Sequence, residues 1–292
     1  MQLLLFQLLN GLQLSMLIFL LAAGLTLIFG LMNILNLAHG AFFTLGAYSG
    51  LLVSAATGSF WLALIVGPML PFVLGALLQY FVLQPLVDRG RSTHLDLALM
   101  TFGLLFATAG AVELLYGSAF YSIAIPSALS GQVSLLGLSY PAYRLFIVAA
   151  GFAVAGSLKV VVDRTLIGAT LRAGVDNREM VTALGINVNL LFAIVFGVGA
   201  ALAGFAGVIA APVMSVYSQM GIGIVVTTFV VVVVGGLGNL KGSFYASLIV
   251  GMTDTLSQAY LPDAEMFAVY ALLIVVMIIR PQGLFGTVSR VA

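Results

Sequence analysis

Few side chains in this 292-residue sequence can ionise, so each one is a candidate for chemistry. His39 and His94 are the only histidines, there is no cysteine, and no His-Glu-x-x-His spacing occurs. A metal centre therefore lacks ligands, and disulfides and thiolate clusters are excluded. The run Gly235-Gly236-Leu237-Gly238-Asn239-Leu240-Lys241-Gly242-Ser243 has the glycine density of a phosphate loop. It lacks the Gly-Lys-Ser/Thr order that sets a lysine on the phosphates, so no ATPase is read here. No Gly-x-Ser-x-Gly elbow is present, and a serine hydrolase is unsupported. What remains is a set of isolated polar groups inside long apolar runs. Asn36, His39, Thr44, Glu113, Thr228 and Asp254 are the main ones, with Asn33, Thr101 and Thr227 beside them. Polar groups that lipid rejects mark a translocation path by default. The plainer alternatives are that Glu113 and Asp254 snorkel to headgroups and that Asn36 and Asn239 cap broken helices.

The elements that hold these groups follow from composition. Hydrophobic residues make up 62% of the chain and charged residues 7%, with a net charge of +1. Soluble domains carry roughly 25% charged residues, so this chain is built for lipid, and no basic patch suits nucleic acid. The reading is an all-α polytopic membrane helix bundle in a single domain over 1–292. About 20 apolar residues cross a bilayer core. On that measure about nine spans are expected, at roughly 11–30, 34–56, 61–83, 95–116, 142–162, 190–213, 221–237, 243–260 and 265–280. The pair 221–237 and 243–260 is short and glycine-rich, so either could be re-entrant. Pro68 and Pro71 predict a kink in the third span. The N-terminal Leu3-Leu4-Leu5-Phe6 lacks a basic signal region and is read as retained.

Orientation follows from Lys and Arg in short loops. Arg89 and Arg91 form one group, Lys159, Arg164, Arg172 and Arg178 a second, and Lys241, Arg280 and Arg290 a third. The segments 117–140, 214–220 and 261–264 hold neither residue type. With nine spans every basic loop falls on one side, which sets the N-terminus outside and the C-terminus in the cytoplasm. An internal repeat is also expected, because Asn36-Leu37-Ala38-His39-Gly40-Ala41-Phe42-Phe43 is similar to Asn239-Leu240-Lys241-Gly242-Ser243-Phe244-Tyr245 with one residue dropped. By span count the two copies are parallel. Gly199, Ala203, Gly207 and Ala211 recur every fourth residue, as do Gly46 and Gly50, which favours close helix packing within the chain. The inner loop at 163–189 spaces Leu171, Val175, Met180 and Leu184 as one helical face. It reads either as a docking helix or as a solvated loop that only sets topology.

The chain resembles the permeases of ABC importers, and among them those for branched-chain amino acids. Gly168, Leu171-Arg172-Ala173 and Ala183-Leu184-Gly185-Ile186 resemble their cytoplasmic loop. Gly30-Leu31-Met32-Asn33, Asn36 to Gly40 and Gly46-Ala47-Tyr48 resemble a first signature, Gly235 to Asn239 with Gly242 a second, and Arg280 to Gly286 a third. Lys241 departs from the second signature. The resemblance implies no catalytic residue and no cofactor in this chain, a second related permease, two cytoplasmic ATPase subunits that use ATP, and an extracytoplasmic binding protein. It makes 163–189 a coupling loop, with Arg172, Asp176, Arg178 and Glu179 at the ATPase contact and Leu184-Gly185 as its edge. It makes Gly40, Gly235, Gly236, Gly238, Asn239 and Gly242 helix-break positions. Its substrates would be branched-chain amino acids or similar small solutes crossing the inner membrane. Urea, short-chain amide and aromatic acid permeases of the same family are the alternative, and an ion-coupled secondary transporter is the reading from a different class.

Overall fold

The computed structural model describes residues 2–32, 35–88, 93–135 and 137–286. Asn33, Arg89, Arg91 and Arg290 lie outside the described residues. The elements are α1 (Gln2–Met32), α2 (His39–Thr57), α3 (Phe60–Asp88), α4 (His94–Tyr116), β1 (Gln132–Leu135), β2 (Leu138–Pro141), α5 (Ala142–Arg164), α6 (Leu166–Asp176), α7 (Arg178–Ala183), α8 (Val188–Met214), α9 (Met220–Gly235), α10 (Leu240–Tyr260) and α11 (Glu265–Ile279). Six of these helices are long and apolar enough to cross a membrane, and α9 and most of α11 are shorter apolar helices. Helix α10 takes the place of the expected span 243–260 but is more polar, through Ser243, Ser247, Thr255 and Ser257, and all four are buried. The chain is thus an all-α membrane bundle.

Two helices form the centre. Helix α1 lies along α10 and α8, and α8 lies along α2 and α3. Small residues make this possible. A Cβ on Gly46 would overlap the Gly204 backbone, one on Gly207 would overlap Phe43, and one on Gly199 would lie 2.8 Å from Ile28. The four-residue glycine and alanine rows therefore serve packing within the chain. Hydroxyls join α1 to α10: Thr26 and Ser243 are 2.6 Å apart, and Ser15 donates to the Leu248 carbonyl at 3.4 Å. The expected kink in α3 falls at Gly67–Pro68, and a π-helical turn follows at Gln79–Leu83.

Contacts sort the helix ends into two sets. At one end Asn10 accepts from the Tyr140 hydroxyl at 3.2 Å and from Arg144 at 2.5 Å, and Tyr121 pairs with Val216. At the other, Gly30 abuts Gly238, Asn239 donates to the Phe285 carbonyl at 2.7 Å, and Arg178 meets Asp88. Lys159, Arg164, Arg172, Arg178, Lys241 and Arg280 all belong to this second end. Arg144 corrects the reading of basic residues on one side only. It sits in the first turn of α5 at the opposite end, where the Asn10 amide receives it.

Two helices begin inside the protein. His39, at the start of α2, is fully buried, and its Nε2 lies 2.9 Å from the carbonyl of Leu21. Leu21 is eleven residues, about 16 Å, short of the end of α1. The chain therefore turns back into the bundle before α2 starts. Helix α9 does the same after α8, because Gly221 abuts Gly40 and Thr44 whereas Gly207, two turns before the end of α8, abuts Phe43. Of the pair flagged as re-entrant, then, only the first member begins at depth. The repeat is also corrected. Helix α1 packs on α10 as α8 packs on α3, α2 and α9 meet at their first turns, and α4 stands to α2 as α11 stands to α9. The units α1–α4 and α8–α11 run in opposite directions because the single span α5 lies between them. The Asn36 and Asn239 segments open α2 and α10, which run the same way but occupy different places in this pairing.

Candidate transport site and coupling surface

Helix starts separate two kinds of position. At the basic end, Thr93 forms a capping box with Asp96 on α4, and Thr165, Asn177, Asn187 and Asn239 cap α6, α7, α8 and α10 through side-chain oxygens. Such caps satisfy amides that the first turn leaves without carbonyl partners. Helices α2 and α9, which begin inside the bundle, have no side-chain cap. Asn239 is thus a cap, with its oxygen 3.0 Å from Gly242 N, whereas Asn36 is not one. Asn36 is fully buried, and neither atom of its amide has a hydrogen-bond partner among the described residues. His39 Nδ1 is in the same condition.

The break before α2 is held by Thr101 of α4, a residue the sequence placed among secondary polar groups. Its hydroxyl accepts from Leu37 N at 3.1 Å and donates to Ala98 O at 3.0 Å. Thr44 donates to the Gly40 carbonyl at 3.3 Å and stands against Gly221. Thr228 is buried on α9 and donates to Ile224 O at 2.8 Å. Asn36, His39, Gly40 and Thr44 therefore gather where the first turns of α2 and α9 cross, with Thr228 two turns along α9. Glu113 and Asp254 do not join them. Glu113 is exposed on the last turn of α4, beside Tyr116, whose ring packs 4.7 Å from Tyr48. Asp254 is half-buried on α10 and accepts from Gln258 at 3.3 Å. Tyr48, which the sequence marked only as part of the first signature, has a buried hydroxyl with no hydrogen-bond partner among the described residues.

The glycine-rich breaks form a separate structure at the basic end. Gly235 packs on Gly242, with a Cβ there 2.6 Å from the Gly242 carbonyl carbon. Gly236 and Gly238 take φ of 98° and 76°, conformations that glycine adopts freely. They let 236–239 turn tightly against Gly30 and Gly286, and Leu284 N donates to Val234 O at 2.7 Å. Gly40 is apart from this group, in the crossing described above.

The loop 163–189 is two short helices, not one. Asn177, extended at φ −150°, ends α6 and caps α7. That break rotates the expected face: Leu171 and Val181 turn inward, while Val175, Met180 and Leu184 are exposed, Leu184 at 74%. Leu166 and Ile167 are exposed too, so apolar side chains project beyond the charged end of the bundle. Arg172, Asp176 and Glu179 are exposed, and Arg172 donates to the Val162 carbonyl. Gly185 takes φ 85° with open space around it. Arg178 is different. It donates to Asn189 of α8 and forms an ion pair with Asp88 at 3.0 Å. Asp88 accepts from Gln84 at 2.8 Å, and Gln84 accepts from the buried Gln79 at 3.1 Å, the first residue of the π turn. A chain of polar side chains thus runs from the loop into α3. Asp88, Gln84 and Gln79 were not marked in the sequence; their spacing was the only signal, and it reads as a helical face only once the π turn inserts its extra residue.

Comparison with known proteins bears on the whole chain. Residues 7–278 match the family model for the permease component of branched-chain amino acid transport systems. The chain is 28% identical to the high-affinity branched-chain amino acid transport permease LivH of Escherichia coli K12, over 96% of this chain and 94% of that one. It is 27% identical to the permease BraD of Pseudomonas aeruginosa, over 96% and 95%. It is also 27% identical to the E. coli permease LivM, over 93% of this chain and 68% of the longer relative.

Proposed function

Because the chain belongs to the permease family of branched-chain amino acid transport systems, we propose that it is the membrane-spanning subunit of an ABC importer that carries branched-chain amino acids across the inner membrane. The chain itself is a multi-pass membrane permease and not an enzyme. In this reading it pairs with a second, related permease, as the joint likeness to LivH and LivM suggests. Two ATPase subunits bind the basic end, and a binding protein delivers the substrate at the other. The N-terminus is outside and the C-terminus in the cytoplasm.

The observation that carries the reading is the loop of α6 and α7, which is apolar toward solvent and hydrogen-bonded toward the spans. Exposed Met180 and Leu184 suit a cleft on a soluble partner, with Arg172, Asp176 and Glu179 around them. A packed short helix transmits rigid-body motion where a loose loop would absorb it. The route inward is Arg178, Asp88, Gln84 and Gln79, ending at a π turn of α3, which packs on α8. The substrate path uses the uncapped crossing of α2 and α9, with Asn36, His39 and Thr44 as its polar groups and Thr228 farther along. Glu113 lies at the outer rim and Asp254 on the outer half of α10. The breaks at Gly235, Gly236, Gly238, Asn239 and Gly242 form the inner hinge.

The test is leucine uptake into proteoliposomes holding this chain, its partner permease, the ATPase subunits and the binding protein. Uptake that requires internal ATP supports the proposal. Uptake driven by an ion gradient without ATP overturns it in favour of secondary transport, and uptake of urea in preference to leucine moves the substrate within the family.

A further inference from the structure

A groove of about 750 Å³ opens on the flank of the bundle between α5 and α10, with α1 behind it. It has two chemistries. Its floor is Phe19, Phe152 and Phe244, the last packed edge-on to Phe19 at 5.2 Å and tilted to Phe152 at 5.9 Å. Gly156 widens the floor, since a side chain there would meet nothing within 4 Å. Its mouth, at the basic end, carries Lys159 of α5 and Lys241 of α10. Neither forms an ion pair with a described residue. Asp163 shares the rim, and the Arg172 guanidinium lies on the neighbouring Val162 carbonyl.

Position decides what such a groove meets. Helix α5 is 23 residues long, about 34 Å, against roughly 30 Å of hydrocarbon. Lys159 stands five residues from its end, about 7 Å, so its ammonium reaches the headgroup layer while the aromatic floor lies among acyl chains. Cations at the interface above an apolar trough between two spans are complementary to an acidic lipid, whose phosphate meets the cations while its tail fills the trough. We propose that this groove holds one acidic phospholipid, with an acyl chain along Phe152, Gly156 and Phe244 and the phosphate between Lys159 and Lys241. The site faces lipid on the outside of the bundle, away from the α2–α9 crossing, and it does not depend on what is transported.

The experiment uses the transporter purified in detergent and exposed to equal amounts of dioleoyl-phosphatidylglycerol and dioleoyl-phosphatidylcholine, with retained lipid identified by native mass spectrometry. One phosphatidylglycerol per copy of this chain is expected, held about tenfold better than phosphatidylcholine. The variant K159A/K241A should lose that preference. The variant G156F places a ring in open groove space and should release the lipid without lowering the melting temperature. Equal retention of both lipids, retention unchanged in both variants, or displacement by millimolar inorganic phosphate would each overturn the proposal. So would lipid held by the isolated chain but absent from the assembled transporter, which would assign the groove to a subunit interface.

Discussion

At the scale of single residues, the buried amide of Asn36 poses the sharpest question. A polar group desolvated without a partner costs about 1–3 kcal/mol. Leucine has nearly the same shape and no such cost. If Asn36 serves the path, N36L should raise the melting temperature of the purified protein and lower leucine uptake at unchanged expression. Uptake that is unaffected would make Asn36 a tolerated defect and remove it from the path. Arg178 and Asp88 allow a second test, because an ion pair can be reversed. The pair is part-exposed, so its direct contribution to stability is about 0–1 kcal/mol. R178D alone should uncouple ATP hydrolysis from uptake, and R178D/D88R should restore much of the coupling. A double variant as uncoupled as the single one would show that Arg178 acts on the ATPase directly and not through α3.

At the scale of elements, close helix approach sets what the sequence permits. Gly46 meets the Gly204 backbone, whereas Gly103 on the outer face of α4 meets nothing within 4 Å. G46V should destabilise by about 1–3 kcal/mol or prevent accumulation in the membrane. G103A should be neutral or slightly stabilising, since alanine favours helix. Thermal unfolding in detergent compares the two, and equal melting points would mean that the α2–α8 contact is looser than described. These rows were legible in the sequence because small residues every fourth position have one common cause. The nine apolar stretches were legible for a similar reason: length and hydropathy are local. The internal start of α2 was not, because an uncapped helix start leaves no residue to notice, and that of α9 showed only as one of two short, glycine-rich stretches. The loop face was misread at Leu171, which is buried while Val175, Met180 and Leu184 are exposed, because Asn177 breaks the period within the loop and a capping asparagine in mid-loop looks like any polar residue.

At the scale of the molecule, the inverted relation of α1–α4 to α8–α11 depends on one odd crossing, α5, and so on the total of nine. The Asn36 and Asn239 likeness suggested a parallel pair because it compared sequence, while the inversion is visible only in which helix packs on which. Among the described residues the basic side chains gather at one end of the bundle, apart from Arg144, whose charge is spent on Asn10 at the start of a span. The absence of cysteine makes the topology directly measurable. Ser118 follows α4 and Thr182 lies on α7, both exposed and at opposite ends. In sealed cells an impermeant maleimide should label S118C at once and T182C only after lysis. Of the α-helices, only α5, α6 and the start of α7 separate these positions in sequence, and α6 and α7 stay on the surface. The span α5 is therefore the only crossing between Ser118 and Thr182, and it must carry the chain through the bilayer. Labelling of both from outside would mean that α5 does not cross. The two halves would then lose their inversion, and the basic end could no longer face the ATPase as a whole.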